Sequence, residues 1–154
     1  MFSNDVYRAN LASVIATLEA WARDHRDAAE IETAAVTSYW KMAVMPHTTG
    51  ACPFEILLRA DQRFDVNIAG EAYYDKPIDR FDFFPMLARA VFAGNVARVD
   101  ISNALTSALE SVETRVTLED GWTWIGERRV GTRSARKIES AQESRAHRFL
   151  PYRR

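Results

Sequence analysis

The order of its secondary-structure patterns constrains the fold of this chain more than any other feature. One long helical pattern is followed by a run of strand patterns, a second helical pattern and a second run of strand patterns. Runs of strands with few helices between them are typical of antiparallel α+β folds and not of doubly wound parallel sheets. We therefore predict a long N-terminal helix and one central helix packed on a mainly antiparallel sheet of about six strands.

The first helix is predicted between Asn4 and about Asp27, because its apolar residues recur every three or four positions along one face. Ser3 or Asn4 is the expected N-cap, and Asp5 suits the positive end of the helix dipole. The central helix is predicted from about Arg80 to Ala93, with Asp79 as its cap. Its apolar residues also trace one face.

Strand patterns, rich in β-branched and aromatic residues or alternating in polarity, occupy the sequence around both helices. They cover residues 35–45, 54–60, 63–69, 71–74, 96–102, 109–118 and 122–129. The clearest hairpin has the turn Glu119-Asp120-Gly121.

Composition places the chain among ordinary globular proteins. With 154 residues and 47% apolar residues, it can bury a core without metals or disulfides. Cys52 is its single cysteine, so no internal disulfide is possible. The sequence shows neither a secretory leader nor an apolar stretch long enough to span a membrane. We expect a soluble, cytoplasmic protein that does not associate with membranes.

Charge is distributed unevenly along the chain. Residues 1–125 carry 11 Lys or Arg against 18 Asp or Glu, a net charge of −7. Residues 126–154 carry nine Lys or Arg against three Glu, a net charge of +6. We predict a single α+β domain over residues 1–130 and a basic tail or arm over residues 131–154. Such a tail either binds polyanions or folds over the acidic body of its own or a neighbouring subunit.

The tail is the first candidate binding region. Its cations could contact nucleic acid, an acidic protein or another subunit, and the alternative is a solvated tail. The residues concerned lie in the tail and directly before it: Arg128, Arg129, Arg133, Arg136, Lys137, Arg145 and Arg148.

The loop between the strand patterns 35–45 and 54–60 is the second candidate. His47 and Cys52 could form a nucleophilic pair if the imidazole reaches the thiol. The alternative is that Cys52 packs as a small apolar residue while His47 is solvated. A ligand pocket near them could include Trp40, Trp122 and Trp124, although core packing is the competing explanation for these aromatic residues.

No catalytic motif, metal-binding pattern or glycine-rich phosphate loop occurs, so we predict no catalytic residue, metal or cofactor. The favoured function is a non-catalytic binding or protein-interaction module that forms a homodimer through its tail or an edge strand. One alternative is a nucleic-acid accessory protein that uses the basic tail. Another is a small-molecule enzyme or ligand carrier with a pocket near His47 and Cys52.

Overall fold

The computed structural model describes residues 2–130 and 141–154, which form two helices and nine strands. The predicted α+β class and the antiparallel pairing are confirmed, but the strands belong to two sheets of five and four strands. The helices are α1 (Asn4–Asp24) and α2 (Phe83–Phe92). The strands are β1 (Ala29–Ala35), β2 (Tyr39–Pro46), β3 (Phe54–Arg59), β4 (Arg63–Ile68), β5 (Glu71–Pro77), β6 (Val96–Asn103), β7 (Leu109–Thr117), β8 (Thr123–Arg129) and β9 (Gln142–Arg148).

The five-stranded sheet is a meander in the order β1-β2-β3-β4-β5. Along each strand, side chains alternate between an apolar inner face and a more polar outer face, as a sheet packed on one side requires. Both described helices pack on the inner face. Trp21 of α1 contacts Phe54 of β3, and Phe84 of α2 contacts Phe64 of β4. These contacts belong to one hydrophobic core.

The ends of the helices partly match their predictions. Ser3 caps α1, since its hydroxyl accepts a hydrogen bond from the Val6 N–H at 3.4 Å. The cap predicted for α2 was wrong, because the helix begins at Phe83 with Asp82 in the N-cap position. The Asp82 carboxylate does not cap the helix; it accepts hydrogen bonds from Arg80 at 3.1 and 2.9 Å.

The strand predicted over residues 35–45 corresponds to β2, although the predicted segment also includes the last residue of β1 and the turn between the two strands. β1 ends at Ala35, and β2 begins at Tyr39 after a turn in which the Val36 N–H donates to the Tyr39 carbonyl at 2.9 Å. The first strand of the sheet therefore lies mostly before the predicted segment.

The four-stranded sheet has the order β8-β7-β6-β9. It contains the predicted turn at Glu119–Gly121, where the Leu118 N–H donates to the Trp122 carbonyl at 2.8 Å. One of its contacts with the five-stranded sheet is made by Tyr73, whose hydroxyl lies 2.7 Å from the Thr114 hydroxyl. The Tyr73 ring packs on Gly126, where an added Cβ would lie 2.6 Å from the ring.

The segment predicted as a basic tail or arm includes β9, which pairs antiparallel with β6. The chain then returns to the body. The Leu150 N–H donates to the Gly50 carbonyl, and the Tyr152 N–H donates to the Phe92 carbonyl, both at 2.9 Å. Tyr152 is buried, and Arg154 lies 3.1 Å from the Asp27 carboxylate. The final residues therefore lie on the acidic body of their own chain.

Within the described part of the chain, neither helix has the length and apolar character needed to cross a membrane.

Candidate functional site

The loop between β2 and β3 places His47 and Cys52 in different surroundings. Cys52 is fully buried, and its thiol donates to the Pro53 carbonyl at 3.3 Å. Burial raises the pKa of Cys52 to about 11, so the thiol is protonated at neutral pH. His47 is exposed, with Nδ1 3.3 Å from the Asp27 carbonyl. These surroundings support a packing role for Cys52 over a nucleophilic one.

The predicted aromatic residues separate into two groups. Trp40 is buried on the inner face of β2. Trp122 and Trp124 come together around Phe83, with ring centroids 6.4 and 5.9 Å from the Phe83 ring. They help to line a hollow of about 220 Å³, and Arg80 lies over the Trp122 ring at 5.9 Å. The structure therefore brings Trp122 and Trp124 to one site, while Trp40 belongs to the core.

The predicted basic residues also differ in their contacts. Arg128 donates to the Glu71 carboxylate at 2.6 and 2.9 Å, and Arg129 lies 3.2 Å from Glu127. Arg145 and Arg148 are exposed on β9. The other three, Arg133, Arg136 and Lys137, lie outside the described residues. Contact with nucleic acid, an acidic protein or another subunit through this region stays a prediction.

The Glu71 carboxylate is only 6% exposed and is held between two guanidinium groups. Arg128 hydrogen bonds to it, and Arg98 lies 3.4 Å away. The pKa of Glu71 is lowered mainly by the hydrogen bonds from Arg128 and further by the charges of both arginines, although burial opposes this shift. Because Glu71 belongs to β5 and both arginines to the other sheet, this cluster joins the two sheets.

A hollow that the sequence reasoning missed lies on the outer face of the five-stranded sheet, which we call the open face. It has a volume of about 610 Å³. The pairing of the strands places Glu32, Ala43, Glu55, Asn67 and Ala72 in one row across the sheet. The small side chains of Ala43 and Ala72 form the floor of this row.

The open face is both apolar and acidic. Met45, which is 58% exposed, lies next to Ala43 along the same face of β2. Glu30, Glu32 and Glu55 also line the hollow, and within residues 2–130 and 141–154 none of the three forms an ion pair. Among the residues that the structure describes, no Lys or Arg lines it. Lys41, Ala43 and Met45 alternate along the outer face of β2. The apolar residues Ala43 and Met45 on this face were the available sequence signal for the hollow, because the other face of the strand is also apolar.

Among the described residues, the two sheets have four edges without a further strand, at β1, β5, β8 and β9. An exposed edge is a template for pairing with another strand unless charges, proline or a bulge block it. β5 has a register shift opposite β4, a positive φ of 61° at Asp75, and Pro77 at its end. β8 and β9 carry charged side chains such as Arg129 and Arg145. The half of β1 from Thr33 to Ala35 carries none of these features and is exposed.

Metal binding finds no support in the described residues, where no group of three or more His, Cys, Asp or Glu side chains is arranged to hold an ion. Comparison with known proteins gives no match to any family model, curated protein or solved structure.

Proposed function

We propose that this protein is a non-catalytic protein-interaction module that forms a homodimer by pairing β1 of one copy with β1 of a second. The observation that carries the proposal is the lack of edge protection between Thr33 and Ala35. The buried, protonated Cys52 supports the non-catalytic assignment, because the only thiol of the chain is not poised as a nucleophile.

The backbone of β1 is oriented for such pairing. The Val36 N–H donates to the Tyr39 carbonyl and the His47 N–H to the Ala28 carbonyl. Since antiparallel bonding alternates along a strand, the even-numbered residues face β2, and the N–H and C=O groups of Thr33 and Ala35 face the free edge. The Ile31 carbonyl faces the same way, because it accepts a hydrogen bond from Arg26 at 3.1 Å.

Two neighbouring registers are possible for two-fold pairing of β1 with β1, and the register centred on Thr33 is the more favourable one. If Thr33 pairs with Thr33 of the second copy, Ile31 pairs with Ala35, Glu32 with Ala34 and Glu30 with Val36. Outer-facing residues then meet outer-facing residues, and no glutamate lies directly opposite another. Centring the axis on Glu32 would instead oppose two glutamates, which is destabilising. The Ile31 carbonyl can accept from both Arg26 and the second strand, because it has two lone pairs.

The test is the molar mass of the intact chain, measured by light scattering on size-exclusion peaks over a range of concentrations. Thr33→Pro should give a monomer, because it removes an outward-facing donor and leaves the bonds to β2 in place. Ser144→Pro on β9 is the matched control. The Phe149 N–H donates to the Val96 carbonyl, so the even-numbered residues of β9 face its free edge.

A dimeric wild type, a monomeric Thr33→Pro variant and a dimeric Ser144→Pro variant support the proposal. A monomeric wild type overturns it, and so does a Thr33→Pro variant that remains dimeric.

A ligand carrier is the second candidate, and the hollow at Trp122 and Trp124 is the observation that favours it. Trp122 is 50% exposed, whereas Trp21 and Trp40 are buried, so a ligand in the hollow should change the exposed part of the tryptophan emission. Titration with anilinonaphthalene sulfonate tests this idea. Emission changes that persist when both Trp122 and Trp124 are replaced by Phe would count against it.

A further inference from the structure

We infer that the open face binds a cationic segment of a partner protein, with an apolar side chain of that segment seated over Ala43 between Glu32 and Glu55. This inference goes beyond the proposed homodimer and does not depend on it, because the hollow lies on the face of the sheet and not at its edge. Three observations carry it: the shape of the hollow, its charge and its apolar floor.

The shape follows from the register of three neighbouring strands. Ala43 of β2 pairs with Glu32 of β1 on one side and with Glu55 of β3 on the other. Since neighbouring strands lie about 4.8 Å apart, the two glutamate backbones stand roughly 10 Å apart across a single small residue. The row continues to Asn67 and Ala72, so the hollow extends across all five strands. Its volume of about 610 Å³ is that of a ligand-binding cleft.

The charge of the hollow selects the sign of its occupant. Elsewhere in the described chain, carboxylates are commonly paired, as Glu119 is with Arg89 and Glu71 with Arg128. Within residues 2–130 and 141–154, Glu32 and Glu55 have no such partner, and neither does Glu30 at the rim. A cationic segment would neutralise them and would be steered toward them during approach.

The apolar floor distinguishes a protein segment from a simple cation. Met45, Ala43 and Ala72 face the hollow, and burying them against an apolar side chain is favourable in proportion to the area removed from water. Met45 can adapt to different side chains, because its thioether chain is unbranched and flexible. An extended segment that alternates cationic and apolar residues would satisfy both features, with cations reaching Glu32 and Glu55 on either side of a seated apolar residue.

Fluorescence anisotropy with three labelled peptides of equal length tests the inference on the intact chain. The probes alternate Lys with Leu, Lys with Ser, and Glu with Leu. We expect the Lys/Leu peptide to bind more tightly than both others, and its binding to weaken as salt is added. Comparable binding of the Lys/Ser peptide would show that binding depends only on attraction to a polycation. Comparable binding of the Glu/Leu peptide would show that the site does not select the charge of the peptide. Either result overturns the inference.

The location is tested by a pair of variants with equal loss of charge. Glu32→Gln with Glu55→Gln should weaken Lys/Leu binding about tenfold, which corresponds to the loss of two weak charge contacts. Glu19→Gln with Glu127→Gln, which removes two charges away from the open face, should leave binding unchanged. Equal weakening by the two pairs would overturn the assignment to this face, and circular dichroism checks that each variant is folded.

A repeat of the titration with Thr33→Pro separates this inference from the proposed dimer. Binding of the Lys/Leu peptide by a monomeric Thr33→Pro variant supports the open face as a site of its own. Loss of peptide binding in that variant would show that the open face binds only in the dimer and would overturn the inference of a separate site, whereas the molar mass alone tests the proposed dimer.

Discussion

Glu71 and Arg128, 57 positions apart in the chain, form a bidentate ion pair that joins the two sheets. The carboxylate is almost fully buried on β5, while the guanidinium reaches it from β8 and is half-exposed. Because a buried carboxylate without a partner is costly, this pair ties the position of the four-stranded sheet to that of the five-stranded sheet.

Replacing Glu71 with Gln should lower the free energy of unfolding by about 2 kcal/mol, because the substitution leaves Arg98 and Arg128 without their buried counter-charge. Urea unfolding at neutral pH measures the loss. Glu119→Gln is the matched control, since it breaks the exposed pair with Arg89 and should cost less than about 1 kcal/mol. Equal losses in the two variants would contradict the central role given to the buried pair.

The contribution of Glu71 should also depend on pH. Its pKa in the folded protein lies below the ordinary value of 4.5, chiefly because Arg128 hydrogen bonds to it. A carboxyl group with a lowered folded pKa stabilises the protein above its unfolded pKa, and that stabilisation is lost as the pH falls through the folded value. The difference in unfolding free energy between wild type and Glu71→Gln should therefore be full at about pH 7 and shrink below about pH 4.5. A difference that grows on acidification would contradict this sign.

Gly126→Ala should destabilise the contact between the two sheets. The added Cβ would lie 2.6 Å from the ring of Tyr73, which is buried and hydrogen bonds to Thr114. Forcing a methyl group into this packed position should cost about 1–3 kcal/mol. Tyr73→Leu removes most of the ring and should reduce the effect, so thermal unfolding of the two single variants and the double variant should be non-additive. Additive losses would show that the strain does not come from Tyr73.

Cys52 should resist thiol–disulfide exchange in the folded protein. Its thiol is fully buried, and its pKa is raised to about 11, so little reactive thiolate forms near neutral pH. Reaction with a chromogenic disulfide reagent should be slow in buffer and fast in denaturant. Native labelling as fast as that of a free thiol peptide would contradict the packing assigned to Cys52.

Tyr152→Ala should destabilise the fold far more than Arg153→Ala. Tyr152 is buried, its ring packs on Phe92, and its hydroxyl donates to the Cys52 carbonyl. Its loss creates a cavity and leaves that carbonyl without its partner, at a cost of about 3–5 kcal/mol. Arg153 is exposed, and its one contact with Thr48 uses the backbone N–H, so its substitution should be nearly neutral. The free energies of unfolding of both variants, measured with denaturant, test this difference.

The elements with buried apolar faces were the ones that could be predicted from the sequence. Both helices and the hairpin around Asp120 display their burial in their periodicity. β9 was not predicted, because both of its faces are exposed and its side chains therefore show no apolar alternation. The strand is held by its backbone hydrogen bonds to β6. β1 was not predicted either, because only Ala29 and Ile31 point into the core and because Ala and Glu are poor strand formers.

The candidate sites could be predicted only where their residues lie close together in the sequence. Trp122 and Trp124 could be placed together from their spacing, since both lie on one strand pattern. The open face could not be predicted, because its row depends on the register of five strands and no single segment contains it. The pairing of Glu71 with Arg128 is hidden for a similar reason, as local patterns say nothing about contacts across 57 residues.

The contact between Tyr152 and Cys52 joins residues 100 positions apart. During synthesis, the loop after β2 and the adjoining end of the core must therefore wait for the whole intervening chain to be translated. The carbonyl of Cys52 gains its hydrogen-bond donor, and the Phe92 ring gains its contact with Tyr152, only when Tyr152 has emerged. A nascent chain that stalls before this point lacks these contacts, so the last step of folding is coupled to translation through residue 152.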